Sequence, residues 1–231
     1  MSQRVYVWDL PTRLFHWLLV ALVIAAYLTQ EFDAMEWHQR VGLSLLGLLV
    51  FRLAWGVIGS RHARFASFLQ GPATVRAYLR GEWQGLGHSP LGGWSVLLLL
   101  ALPLMLVGTG LFANDDVAFK GLLADWVDKA VSDRLTGLHH LAFNLLLGLV
   151  ALHVAAIVYY RLVRRQDLLR PMVTGWKQAK ADADTHRPEG FRGRWPAFIL
   201  AGTLAGAVVY GVLAFTPEPP DPVPVQTLPS W

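Results

Sequence analysis

The 231 residues are 54% apolar and only 16% charged, with a mean hydropathy of +0.40, proportions that exclude an ordinary soluble domain and point to a membrane protein. Cysteine is absent, which excludes disulfides, thiolate-held iron–sulfur clusters, thiol catalysis and covalent Cys-x-x-Cys-His attachment of a haem. The formal charge of +4 and the pI near 9.6 follow from where the basic residues fall along the chain, a membrane-topology signal and not a nucleic-acid surface.

Five apolar segments, at about residues 14–28, 41–59, 91–113, 135–160 and 196–215, approach the roughly 20 residues that a helix needs to cross the hydrocarbon core. The first is short unless its flanks join it. Asp9, Pro11, His16 and Trp17 are poor signal-peptide features, so it is read as a retained span. Between the second and third spans, residues 71–83 place Pro72 at a first helical position. Val75, Tyr78 and Leu79 recur there at three-to-four spacing among Arg76 and Arg80, which predicts a short helix, interfacial or simply an amphipathic loop helix. Pro103 is expected to kink the third span, and the Pro-rich residues 217–231 to be extended. The fold class expected is all-α: an integral membrane four-helix bundle with an additional fifth, C-terminal transmembrane helix.

Of the 20 Lys and Arg residues, 16 lie in 1–13, 52–90 and 161–195, and the other four are Arg40, Lys120, Lys129 and Arg134. The positive-inside rule then puts the N-terminus in the cytoplasm, and five spans put the C-terminus in the periplasm.

Ionisable residues inside a membrane are expensive and usually functional, which singles out His16, His38, His139, His140 and His153. His139 and His153 are 14 residues apart, a spacing that returns to within about 40° of one helix face and separates them by roughly 21 Å along the axis. His140 falls nearer the opposite face. Topology pairs the rest: His16 and His153 share the cytoplasmic depth, His38 and His139 the periplasmic one. Two depth-matched imidazole pairs joined by one helix match two bis-histidine haems.

Arg52 also lies 14 residues beyond a proposed ligand, His38, and so faces inward at the depth of His153. A buried Arg needs an anion, for which a haem propionate is suited; snorkelling to the interface is the alternative. Arg40 has two readings, a propionate contact on the outer side or a solvated end charge.

Several segments together resemble the bacterial cytochrome b561 and nickel-hydrogenase b-type cytochrome family. They are Val7-Trp-Asp-Leu-Pro-Thr-Arg-Leu-Phe-His16-Trp, His38 ahead of Gly42, Phe51-Arg52-Leu-Ala-Trp55-Gly56, Gly59-Ser-Arg61-His62-Ala-Arg64-Phe65, Gly87-His88-Ser-Pro90-Leu-Gly-Gly93, and the helix from His139 to His153. The resemblance covers about residues 4–178. It implies a four-helix core in the bacterial inner membrane holding two non-covalent b haems on His16, His38, His139 and His153. It also implies electron exchange between the quinone pool and a periplasmic partner, either a c-type cytochrome or a hydrogenase-like or dehydrogenase subunit of a respiratory chain.

The expected organisation is a di-haem domain at 1–178, a cytoplasmic connection at 179–195, an extra span at 196–215 and a Pro-rich periplasmic tail at 216–231. The family does not require the fifth span or the tail, for which partner docking and plain anchoring both stand. Two other functions compete: a haem-bearing anchor subunit of a multisubunit oxidoreductase without its own quinone site, and a transporter lined by histidines. For a quinone headgroup, Asp9, Arg61, His62 and His88 are candidates on the cytoplasmic side.

Overall fold

The computed structural model describes residues 2–61, 63–82, 89–117, 119–180 and 193–217. His62, His88, most of the 179–195 connection and nearly all of the Pro-rich tail lie outside the described residues.

A short strand, β1 (Ser2–Tyr6), leads into the first span, α1 (Leu10–Glu31). This span is longer than its apolar run because Asp9 caps it, accepting from the Thr12 backbone N–H at 2.9 Å, while Pro11 occupies the first turn. The features that argue against a signal peptide are therefore the start of a helix. A tight turn through Asp33, with φ at +53°, reverses the chain into α2 (Met35–Ile58).

Two short helices follow, α3 (Phe65–Phe68) and α4 (Pro72–Leu79), the latter opening at Pro72 as its sequence predicts. Next comes α5 (Pro90–Gly110), capped by the Ser89 hydroxyl and running through Pro103 as one helix. A loop with a 3-10 turn at Ala124–Trp126 leads to α6 (Lys129–Leu162). At 34 residues α6 is about 50 Å long, well beyond the ~30 Å hydrocarbon core, so its first turns stand outside the membrane. The chain ends with α7 (Leu169–Thr174), β2 (Trp176–Lys180) and α8 (Trp195–Ala214).

The strands form an antiparallel pair running from Ser2 opposite Lys180 to Tyr6 opposite Trp176, with the Tyr6 and Trp176 rings edge to face at 5.1 Å. Gly175, at φ +86°, makes the turn into β2; a Cβ there would stand 2.6 Å from the Tyr6 ring and 2.9 Å from the Trp8 carbonyl. This clasp ties the N-terminus to the chain beyond α6.

Among the described residues five helices are long and apolar enough to cross a bilayer. Leu14, Leu18, Ile24, Leu145, Leu152 and Leu200 are all exposed, which a soluble protein could not tolerate and a lipid-facing surface requires. Inside, Phe15, Leu45, Leu46, Leu49, Leu100 and Val107 join α1, α2 and α5.

The fifth span lies along α2. Lipid supplies no hydrophobic drive between helices, so close packing needs small residues, and Ala201 and Ala205 are the buried residues of α8. Val209 comes within 3.3 Å of where a Cβ of Gly47 would be. Near the start of α8 Phe198 meets Phe51 and Trp55 edge to face at 5.4 and 6.1 Å.

Candidate functional site

α6 packs closely on α5, whereas it meets α1 and α2 through long side chains, such as Tyr27 stacked on Phe143 at 5.9 Å. The inward-facing histidines occupy this wider seam between helices.

At the end of the bundle expected to face the periplasm, the outer end, His38, in the first turn of α2, and His139, in the third turn of α6, have ring centroids 6.3 Å apart. Each is fixed by its neighbouring hairpin helix. His38 Nδ1 lies 2.9 Å from the Ala26 carbonyl of α1, and His139 Nδ1 lies 2.8 Å from the Leu106 carbonyl of α5. A carbonyl only accepts, so both Nδ1 atoms carry a proton, and in the neutral imidazole Nε2 then keeps its lone pair. Gly110 lets the ring approach: a Cβ there would lie 3.1 Å from His139 Cε1. Phe119 of the outer loop covers His38 edge to face at 6.4 Å. His140 is exposed on another face of α6.

At the opposite end of the bundle, expected to face the cytoplasm, His16 and His153 are half-buried, and His153 lies close enough to act on His16 electrostatically. His16 Nδ1 is buried without a hydrogen-bond partner, as are Thr12 Oγ1 and Arg13 Nε one turn before it. The first turns of α1 are tied to α7 by Arg13, which donates to the Val173 carbonyl at 2.5 Å, and by Trp17, which donates to Met172 at 3.3 Å.

Arg52 is 2% exposed. Its guanidinium donates to the Ala63 carbonyl at 3.2 Å and lies over the Phe65 and Phe15 rings, at 4.9 and 5.8 Å, which places it beside His16 in depth. Asp9 supplies the nearby negative charge and accepts from Trp55 Nε1 at 3.0 Å. Arg40 sits at the exposed start of α2, paired with Glu36 at 3.5 Å and over Trp37 at 4.9 Å. Arg61 is exposed.

Sequence reasoning missed the Ala26 and Leu106 carbonyls, which no side-chain pattern can reveal, and the Asp9–Trp55 bond. It also missed Thr29 and Thr109, polar residues within apolar runs close to the histidines. Among the described residues no three His, Asp or Glu side chains converge as a bare metal centre would require. What converges is a pair of imidazoles, His38 and His139.

The family described as Prokaryotic cytochrome b561 matches residues 7–175. The chain belongs to this family. It is a membrane b-type cytochrome, and the group such a protein carries is haem b, the cofactor of its electron transport. Curated relatives named "Probable Ni/Fe-hydrogenase B-type cytochrome subunit" include one from Azotobacter vinelandii, 26% identical over 224 residues that span 77% of this chain and 90% of the relative. One from Rhizobium leguminosarum bv. viciae is 22% identical over 223 residues, 79% of this chain and 92% of the relative. The protein of that name from Rhodobacter capsulatus is 24% identical over 221 residues, 77% and 83% of the two chains. No solved structure matches.

The residues of this cytochrome fit a haem. Two metal–imidazole bonds of about 2 Å plus about 1 Å from each ring nitrogen to its ring centre span about 6 Å between centroids, matching the outer pair at 6.3 Å. A ligand histidine normally donates its other ring N–H to a carbonyl or carboxylate, as both outer histidines do.

Proposed function

We propose that this cytochrome holds two haem b groups, one between His38 and His139 near the periplasmic face and one between His16 and His153 near the cytoplasmic face. It passes electrons between the quinone pool and a periplasmic redox partner. The observation that carries the ligand reading is the matched pair of Nδ1–H to carbonyl bonds, which orient both outer rings and leave both Nε2 atoms as donors. A bis-histidine haem supplies reversible one-electron transfer and leaves no open iron position for other chemistry.

The protein's part is to hold and tune. His16 and His153 take the inner site, where Arg52 neutralises a propionate that would otherwise be an unpaired charge at depth. Arg40 serves the outer propionate edge, because its exposed pair with Glu36 is weak enough to exchange. The split of basic residues supports an inner-membrane orientation with the N-terminus in the cytoplasm and the C-terminus in the periplasm. The names of the relatives favour a hydrogenase-type subunit over a c-type cytochrome as the partner.

The test is reduction of the purified, haem-loaded cytochrome by a soluble quinol. Both α-band signals are expected to appear, and to disappear when a hydrogenase-type or c-type acceptor is added. A protein that dithionite reduces and quinol does not would favour an anchor subunit without its own quinone site.

A further inference from the structure

The ring N–H groups of the outer histidines are held by one arrangement built twice from unrelated helices. On α1 the Ala26 carbonyl accepts from His38 Nδ1 at 2.9 Å and from the Thr29 hydroxyl at 3.0 Å, while Thr29 also donates to the Ala25 carbonyl at 2.8 Å. On α5 the Leu106 carbonyl accepts from His139 Nδ1 at 2.8 Å and from the Thr109 hydroxyl at 3.1 Å, while Thr109 also donates to the Met105 carbonyl at 2.7 Å. In each case the threonine oxygen itself stands within reach of the ring, 3.5 Å from His38 Nδ1 and 3.3 Å from His139 Nδ1. The spacing is the same on both helices: a carbonyl at one position and a threonine three residues later, on the helix preceding the one that carries the histidine.

A threonine in an apolar helix commonly bonds the carbonyl four residues back, and that satisfies only itself. Here the single hydroxyl proton is shared between two carbonyls, so the oxygen lone pairs are left for the ring N–H. We propose that Thr29 and Thr109 are matched positioning residues of the outer haem site, each giving the Nδ1–H of one axial histidine a second acceptor beside the backbone carbonyl. This rests on the reading of His38 and His139 as ligands. A better acceptor at Nδ1 makes the imidazole more basic, and a more basic ligand stabilises oxidised iron.

The test compares Thr29→Val, Thr109→Val and the corresponding Ser variants in the intact membrane protein, by redox titration at the α-band and by the low-spin EPR signal. Each Val variant is expected to raise the outer potential. A three- to tenfold shift in its reduced-to-oxidised ratio at fixed ambient potential is about 28 to 59 mV for one electron. The inner centre should not move, and both Ser variants should restore the native potential. Loss of the outer haem in a Val variant, with retention at native potential in the Ser variant, would support the same role. Val variants with native potential and EPR signal would overturn it, as would equal shifts at both centres or Ser variants that behave like Val. His38→Ala separates the two levels of the argument. If it retains both haems, the ligand reading fails and takes this inference with it. If it loses one while the Val variants are silent, the inference about threonine fails alone.

Discussion

The Asp9–Trp55 contact sets the register of α1 against α2, and its strength follows from the burial of both partners. Trp55 is wholly buried and Asp9 is 4% exposed, with Nε1 donating to Oδ2 at 3.0 Å. Trp55→Phe leaves that carboxylate oxygen unpartnered, a loss of about 1.5–3 kcal/mol for a hydrogen bond to a charged group. The smaller ring opens roughly 40 Å³, which adds about 1 kcal/mol. Asp9→Ala removes the same bond and also the helix cap, a further loss of about 1 kcal/mol. The two variants share one bond, so the double variant should be less destabilised than the sum by about 1.5–3 kcal/mol. Unfolding in mild detergent, followed by far-UV circular dichroism, measures all three. His16 lies two turns along α1 from Asp9, so the inner haem spectrum should be disturbed more than the outer. Additivity to within about 0.5 kcal/mol would refute the reasoning, because separate sites add to that accuracy.

Other outcomes follow from the same structure. Single cysteines at the exposed positions Arg61 and Val117 should label from the cytoplasm and the periplasm respectively, and labelling of both from one side would remove the proposed topology. Truncation after Lys180 should leave both haems bound and reducible while weakening the Phe51–Trp55 corner against which Phe198 packs; loss of both haems would place α8 in the haem-binding core. Burial in the β1–β2 clasp pushes the Lys177 ammonium below its ordinary 10.5. Between the lowered folded value and 10.5 the unfolded chain binds more protons, so stability should rise with pH across that window. Lys177→Met should abolish the slope, which pH-dependent unfolding would report.

Much of the fold was legible because membrane helices announce themselves by length and apolarity, yet their ends were not. The apolar run at 14–28 becomes Leu10–Glu31 because Asp9 and Pro11 supply a cap and a first turn that hydropathy cannot register. The run at 135–160 becomes Lys129–Leu162 because Asp128, whose carboxylate accepts from the Val131 N–H, starts the helix in its charged outer turns. The β1–β2 clasp was missed: two five-residue strands whose partners lie 170 to 178 residues apart leave no local signal of their pairing.

At the site, the 14-residue spacing and the topology together brought out His38 and His139 as neighbours, and the structure puts them in contact through their rings. Arg52 was legible as a buried charge, but its Ala63 carbonyl and its two aromatic neighbours come from a loop and a helix that periodicity does not relate. Arg40 had two readings in sequence, and its side chain engages Glu36 and Trp37 at the exposed end of α2.

Haem content and spectra of five histidine variants test the pairing most directly. An axial ligand governs retention and the low-spin state, whereas a neighbour on another helix face only tunes. His38→Ala and His139→Ala should each damage one haem, His16→Ala and His153→Ala the other, and His140→Ala should spare both. A His140→Ala protein lacking one haem, alongside a His139→Ala protein that keeps two, would contradict the account.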